Sequence, residues 1–385
     1  MLELLIAIFN GISIGSVLLM AALGLAIVFG LMGVINLAHG ELMMLGAYTT
    51  FVVQNVLKGW GDSWFEVYIF LALPAAFLVA ALAGLILEKG VIRYLYGRPL
   101  ETLLATWGVS LILRQFVRSV NGSIAMGIGV FCCLFFGGLF LLRRRRNWER
   151  IKKWAIPTIG SLSLAMAIFK ILLLVNLGNK ALTKPWFSAR NVDVTAPVWL
   201  QGGLPLGDFQ IPSARIFIII LTLLCLIGTY WFLHRSQWGL RIRAVTQNRT
   251  MSACLGVRTS QVDGLTFALG SGLAGIAGCA VTLLGSVGPN TGQNYIVDTF
   301  IVVVVGGVGN LLGTIVAAMG IGTLDYLIGS KTLVPMLVGV EPWESFFDFF
   351  GTTSMSKVIV FALIIAFLQI KPAGMFPQKG RTSEL

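Results

Sequence analysis

A succession of apolar stretches, each about 17–25 residues long, limits the folds open to this chain more than any other feature. That is the length a helix needs to cross roughly 30 Å of hydrocarbon. Helices are expected at about 4–31, 41–57, 67–88, 101–118, 124–142, 157–176, 213–233, 263–287 and 355–370. The stretch 295–328 is apolar but interrupted, and it reads as a two-segment hairpin. Of the 385 residues 57% are hydrophobic and only 11% charged, and mean hydropathy is +0.88. A water-soluble domain needs far more polar surface than that, and a β-barrel would show short alternating segments instead. The expectation is an all-α polytopic helical membrane protein of about nine spans plus a broken-helix hairpin. Gly24-Leu25-Ala26 and Gly272-Leu273-Ala274 each precede a polar break, which hints at an inverted repeat. Glu3 and the lack of a basic leader make 4–31 a retained span rather than a cleaved signal.

Charge gives orientation. The net charge of +12 is concentrated in a few loops between apolar spans, a pattern of membrane topology and not of nucleic-acid binding. The segment 143–153 carries Arg143, Arg144, Arg145, Arg146, Arg150, Lys152 and Lys153 against Glu149. The segment 235–258 carries Arg235, Arg241, Arg243, Arg249 and Arg258 with no acid. Lys89, Arg93 and Arg98, and in the tail Lys371, Lys379 and Arg381, complete the basic set. Threading the spans puts all of these in the cytoplasm, with the N-terminus outside and the C-terminus cytoplasmic. The loop 331–354, with Glu341, Glu344 and Asp348 against Lys331, then lies outside. The loop 177–212 also falls outside, although Lys180, Lys184 and Arg190 argue mildly against it.

The chain divides into an N-terminal transmembrane half (1–123), a helical hairpin with a basic turn (124–176), an extracytoplasmic loop (177–212) and a C-terminal transmembrane half (213–385). The hairpin begins and ends on one side, so its removal would leave the rest of the topology unchanged. It reads as a peripheral insertion whose Arg143–Arg146 run either anchors to anionic membrane lipid or only fixes orientation. Cys132, Cys133, Cys225, Cys254 and Cys279 lack metal-ligand spacing and read as small buried residues.

Four motifs exceed what a passive bundle requires. In Gly33-Val34-Ile35-Asn36-Leu37-Ala38-His39-Gly40-Glu41, a turn joins two apolar segments. Polar groups at membrane depth are expensive and face protein or water. Asn36, His39 and Glu41 therefore line a substrate pathway, or else form an interfacial turn in which Glu41 favours the start of the next helix. The segment Gly285–Asn294 runs into Asp298. It is either a half-helix whose start aims N–H groups at a substrate, with Asn290 and Asp298 on the pathway, or an ordinary outer loop. Gly306, Gly307, Gly309 and Gly313 surround Asn310 in a helix break that allows close packing and adds Asn310 to the candidate pathway. Asp325 on the next segment awaits a partner.

The fourth motif is a basic stretch between two spans, containing Arg241, Arg243, Ala253, Gly256, Val257 and Arg258. It reads as a short cytoplasmic helix from Thr250 to Leu255, closed by Gly256. That helix near 250–258 either floats at the interface or docks into a partner subunit and transmits motion. No G-x-x-x-x-G-K-[ST] loop is present, since Gly329-Ser330-Lys331-Thr332 has the wrong order, and no H-E-x-x-H, G-x-S-x-G or paired-carboxylate site occurs. The chain should neither hydrolyse ATP nor act as an enzyme.

These three ordered stretches, Gly24–Tyr48, Arg243–Gly256 and Gly306–Asn310, resemble the permeases of the branched-chain amino acid and urea family of bacterial ABC importers. The resemblance covers nearly the whole chain except the hairpin. Within it, Leu42–Thr50 and Asn191-Val192-Asp193-Val194 are most similar to urea permeases of the B type. It implies a subunit in the bacterial cytoplasmic (inner) membrane, with a second related permease, two ATPases that bind ATP and Mg, and an extracytoplasmic substrate-binding protein. It implies no cofactor in this chain. The cargo is then urea or a short amide; a branched-chain amino acid is the alternative. A passive urea or water channel is a rival of another class, and it leaves the basic coupling stretch unexplained.

Overall fold

The structure is a computed structural model that describes residues 2–143, 148–176, 186–187, 190–206, 209–330 and 353–376. In chain order the helices are α1 (Leu2–Met32), α2 (His39–Lys58), α3 (Asp62–Gly90), α4 (Pro99–Ser119), α5 (Gly122–Arg143), α6 (Trp148–Asn176) and the single turn α7 (Val198–Gln201). They continue with α8 (Ser213–Arg235), α9 (Gln237–Gln247), α10 (Arg249–Cys254), α11 (Thr259–Thr282), α12 (Thr291–Gly306), α13 (Leu311–Gly329) and α14 (Thr353–Ile370). The fold is helical, as its apolar stretches require. One antiparallel hairpin, β1 (Gly203–Leu206) and β2 (Phe209–Pro212), occupies part of the expected 177–212 loop.

The chain separates into two compact units, Met1–Leu111 with Asn191–Leu385, and Ile112–Arg190. In the second unit α5 and α6 pack face to face. Phe131 stacks on Phe135 at 5.5 Å, and Gly127 and Gly138 lie against Ile171 and Ile159. Leu162, Met166 and Phe169 on α6 stay exposed, as suits side chains in hydrocarbon. The run Arg144–Arg146 lies outside the described residues.

In the first unit α1 and α11 are central. The apolar window of α1 is 83% buried and that of α11 78% buried, against 11% for α8. Leu223, Leu224, Ile227 and Trp231 accordingly leave α8 with a bare apolar face. Small residues on α11 let α1, α2 and α3 pack closely around it.

Among the described residues five helices are long and apolar enough to span a bilayer: Ile6–Met32, Ser63–Tyr94, Ser213–Arg235, Thr259–Thr282 and Leu311–Gly329. Gly122–Phe135, Pro157–Leu173 and Met355–Ile370 are shorter apolar helices. Helix α2 opens with His39, Gly40 and Glu41 and carries Gln54, all buried, while α12 opens with Thr291, Gly292, Gln293 and Asn294. Both begin where Gly40 and Gly292 pack backbone to backbone. His39 lies against Ala21 and Gly24, about two helical turns before α1 ends at Met32. The chain leaves α1, folds back through residues 33–38, and restarts a helix at depth. Irregular backbone is tolerated there because protein surrounds it.

Candidate functional site

Gly33 adopts φ +67, and its N–H bonds to the Phe29 carbonyl at 3.0 Å to close α1. Beyond it Asn36, His39 and Glu41 are each 1% exposed. The Asn36 side-chain oxygen accepts from the Ala38 N–H at 3.0 Å, while its amide nitrogen has no partner among the described residues. His39 Nε2 lies 3.0 Å from the Ala21 carbonyl. A carbonyl can only accept, so the proton sits on Nε2 and leaves Nδ1 as an acceptor. Glu41 Oε1 accepts from Ser110 of α4 at 3.0 Å, and Thr106 of the same helix accepts from the Leu37 N–H at 3.2 Å. Both α4 residues escape a sequence reading, because a lone Ser or Thr in an apolar helix carries no motif.

The second break is built alike but filled differently. Val287 and Val192 exchange backbone bonds of 2.7 and 2.8 Å, which fixes the Asn191–Val194 segment onto the turn before α12. The Gly288 N–H donates to Thr291 Oγ1 at 2.8 Å. Asn290, Gln293 and Asn294 are exposed, unlike their counterparts before α2. The first turns of α2 and α12 cross at Gly40 and Gly292, whose backbones touch so closely that a Cβ on either would strike the other chain segment. Two helix starts therefore meet inside the bundle, one from each half of the chain. Gly24 and Gly270, on α1 and α11, touch in the same manner beside them.

The expected glycine break is also present. Gly306 and Gly313 meet backbone to backbone where α12 and α13 cross, with Gly307 at φ +101 and Gly309 at φ +84 between them. Asn310, however, is a cap. Its side-chain oxygen accepts from the N–H groups of Leu312 and Gly313 at 3.0 and 3.3 Å, and its amide donates to the Phe376 carbonyl at 3.3 Å. Its functional groups are committed to helix geometry, which removes it from the substrate-facing set. Asp298 stands apart from the crossing and binds Lys357 Nζ at 2.9 Å. Asp325 accepts from Ser356 at 2.9 Å.

The basic stretch forms two helices where the sequence suggests one. Ser236 caps α9 by accepting from the Gly239 N–H at 2.9 Å, and Asn248 caps α10 by accepting from the Met251 N–H at 2.9 Å. Gly256, at φ +83, closes α10 while the Val257 N–H bonds to the Ser252 carbonyl at 3.0 Å. Arg241 and Arg243 thus sit on α9 and Ala253 on α10; Gly256, Val257 and Arg258 form the turn into α11. Arg241 stacks on Trp238 at 4.9 Å. Leu255, an apolar residue, is 79% exposed at the tip.

A further set of residues joins this tip to the spans. Arg249, the first residue of α10, bonds to Asp263 of α11 at 2.5 and 3.4 Å and lies over the Tyr96 ring at 4.9 Å. Tyr96 donates to Glu88 of α3 at 3.2 Å. Burial and the nearby Asp263 and Glu88 carboxylates push the Tyr96 phenol above its ordinary range, so it remains a donor. Thr246 of α9 donates to the Leu31 carbonyl of α1 at 3.3 Å. Movement at α9 and α10 is tied directly to α1, α3 and α11. The signal in the sequence is faint: a single acid near the end of one span and another at the start of a much later one.

Buried glycine crossings, two helix starts that meet at Gly40 and Gly292, and a basic turn tied to α1 and α11 belong to a helical membrane protein. Residues 7–368 match the sequence profile of the permease component of branched-chain amino acid transport systems, and the chain belongs to that family. It is 23% identical over 369 residues to the high-affinity branched-chain amino acid transport permease LivH of Salmonella typhimurium, covering 95% of this chain and 93% of that protein. It is 24% identical over 368 residues to BraD, the corresponding permease of Pseudomonas aeruginosa, with 95% and 93% covered. A probable LivH of Methanocaldococcus jannaschii is 23% identical, with 94% and 88% covered. No solved structure matches the chain.

Proposed function

We propose that the chain is one of two related permease subunits of an ATP-driven importer of branched-chain amino acids in the bacterial inner membrane. Its N-terminus would lie outside, its C-terminus in the cytoplasm, two ATPases would dock below and a binding protein would deliver cargo from outside. The observation that carries this reading is the α9–α10 turn, a capped basic element with an exposed apolar tip and a polar link into three spans. A passive channel has no need of such an element. The similarity to permeases named for branched-chain amino acid transport supports the cargo.

The physics of the mechanism is direct. A polar solute that enters hydrocarbon without hydrogen-bond partners loses several kcal/mol. A path exposed to one side at a time supplies those partners and prevents leakage. Closure of the ATPases would push α10, and the Arg249–Asp263 pair would carry that displacement into α11. Asn290 and the exposed start of α12 then form part of the path. Asn36, His39 and Glu41 hold the opposite helix start in place.

Urea is the second reading. Leu42–Thr50 is similar to urea permeases, and Asn191–Val194, which shares that similarity, is bonded to the turn that leads into α12. At 23% identity a change of cargo between relatives is compatible with one fold. The test is labelled uptake of leucine and of urea, each at micromolar concentration, in cells lacking this chain, with and without ATP depletion. Loss of ATP-dependent leucine uptake, restored by re-expression, supports the first reading. Unchanged leucine uptake with lost urea uptake replaces it by the second, and ATP-independent flux of either solute contradicts both.

A further inference from the structure

Four ionisable side chains from four different helices converge on one cavity that also takes in Asn294 and Tyr295 near the start of α12. The cavity has a volume of about 430 Å³ and is lined by Arg215 of α8, Asp298 of α12, Asp325 of α13 and Lys357 of α14, beside apolar residues of α1. Arg215 and Asp325 lie in helices long and apolar enough to span a membrane, and Lys357 lies in a shorter apolar helix. Ionisable groups in such segments are expensive to keep and mark solute or ion paths. The volume falls within the range of about 300–1,000 Å³ typical of small-molecule sites.

The pairing within the cavity is incomplete in a specific way. Lys357 and Asp298 satisfy each other at 2.9 Å. Among the described residues Arg215 makes no ion pair, and its contacts there are a bond of 3.4 Å to the Asn10 carbonyl and the Tyr326 ring at 6.0 Å. Asp325 is held by the Ser356 hydroxyl at 2.9 Å and, among the described residues, by no cation. A guanidinium and a carboxylate thus line one cavity without neutralising each other. Between them Val17 and Leu18 of α1 and Leu284 give a branched aliphatic wall.

We infer that this cavity binds an α-amino acid zwitterion in transit, with Arg215 taking the carboxylate, Asp325 the ammonium group and the α1 wall the aliphatic side chain. The geometry suits a solute with two opposite charges and an apolar body, and it suits neutral urea poorly. The inference rests on the amino-acid reading of the cargo given above and deepens it. Arg215 is the specificity-determining group, because a planar guanidinium recognises a carboxylate in two-point fashion and a lysine does so less well. The Lys357–Asp298 pair completes the wall and holds α14 to α12.

The experiment is ATP-driven uptake of L-leucine and of urea by the complete transporter in proteoliposomes, with wild type, Arg215→Gln, Arg215→Lys and Asp325→Asn. Membrane abundance and the ATPase activity stimulated by the binding protein are measured alongside. Leucine uptake should fall at least about tenfold in Arg215→Gln and Asp325→Asn, the loss of one charge-assisted bond. Stimulated ATPase activity should persist, and Arg215→Lys should recover much of the uptake. A purely structural role would lower uptake and ATPase activity together and would not separate lysine from glutamine. Normal leucine uptake in Arg215→Gln and Asp325→Asn overturns the inference and leaves the amino-acid reading standing. Wild-type transport of urea but not leucine overturns that reading, and the inference with it.

Discussion

The two helix starts that meet at Gly40 and Gly292 are alike in backbone and opposite in exposure. Before α2, Asn36, His39 and Glu41 are sealed from solvent, and His39 and Glu41 are held by Ala21 and Ser110. At the start of α12, Asn290, Gln293 and Asn294 are exposed, while Thr291 and Gly292 are buried. A polar residue at membrane depth has two stable solutions, a protein partner or a water-filled cavity. The first half of the chain uses one and the second half the other. On the function proposed above, the first break is scaffold and the second is where a path opens. Two helix starts that meet in one chain need not be equivalent sites.

The largest effect should come from the crossing that the two breaks share. Gly292→Val would place branched carbon atoms into the Gly40 backbone, where no flexible side chain can yield. Overpacking of this kind costs about 1–3 kcal/mol or more. Loss of most membrane-inserted protein and of all uptake is expected, read by immunoblot and by labelled leucine and urea uptake. Normal abundance would show that the crossing is looser than described.

Next comes the polar link. Arg249→Met leaves Asp263, which is 4% exposed, without its cation. Half of the Arg249 side chain is exposed, so the expected destabilisation is about 1–2 kcal/mol rather than the full value for a buried pair. Uptake should fall several-fold with the ATPases still bound, and adding Asp263→Asn should worsen it little, because the two changes remove one interaction. Additive losses in that double-mutant cycle would mean the pair transmits nothing. His39→Ala should be milder for transport but visible in stability, lowering the thermal midpoint by the equivalent of about 1–2 kcal/mol through the lost bond and the void. Asn290→Ala should be smallest, within about 0.5 kcal/mol in stability, while altering uptake if the second break lines the path. Equal destabilisation by His39→Ala and Asn290→Ala would abolish the contrast between the breaks.

Much of the architecture is legible in the sequence because apolar length and glycine spacing act locally. The α1 break, the two-segment α12–α13 hairpin and the helix closed by Gly256 all follow from runs of neighbouring residues. The partners of the buried groups do not. Ser110 meets Glu41, and Arg215 shares a cavity with Asp325, through pairings between helices distant in sequence that no single motif encodes. Asn310 shows the converse. A polar residue among glycines looks like a pathway group, yet two backbone N–H groups claim its oxygen. Splitting of the basic stretch into α9 and α10 depends on Asn248, whose capping role is readable only once the helix it starts has been placed.

The most direct test of the contrast is thiol accessibility in the assembled transporter, in a cysteine-free background carrying either Asn36→Cys or Asn290→Cys. A small water-soluble thiosulfonate reagent should modify the cysteine at position 290 rapidly, and transported solute should slow that reaction. The cysteine at position 36 should stay unmodified until the protein is denatured. Rapid labelling at position 36 with protection at position 290 would place the water-filled path on the first break and contradict the account.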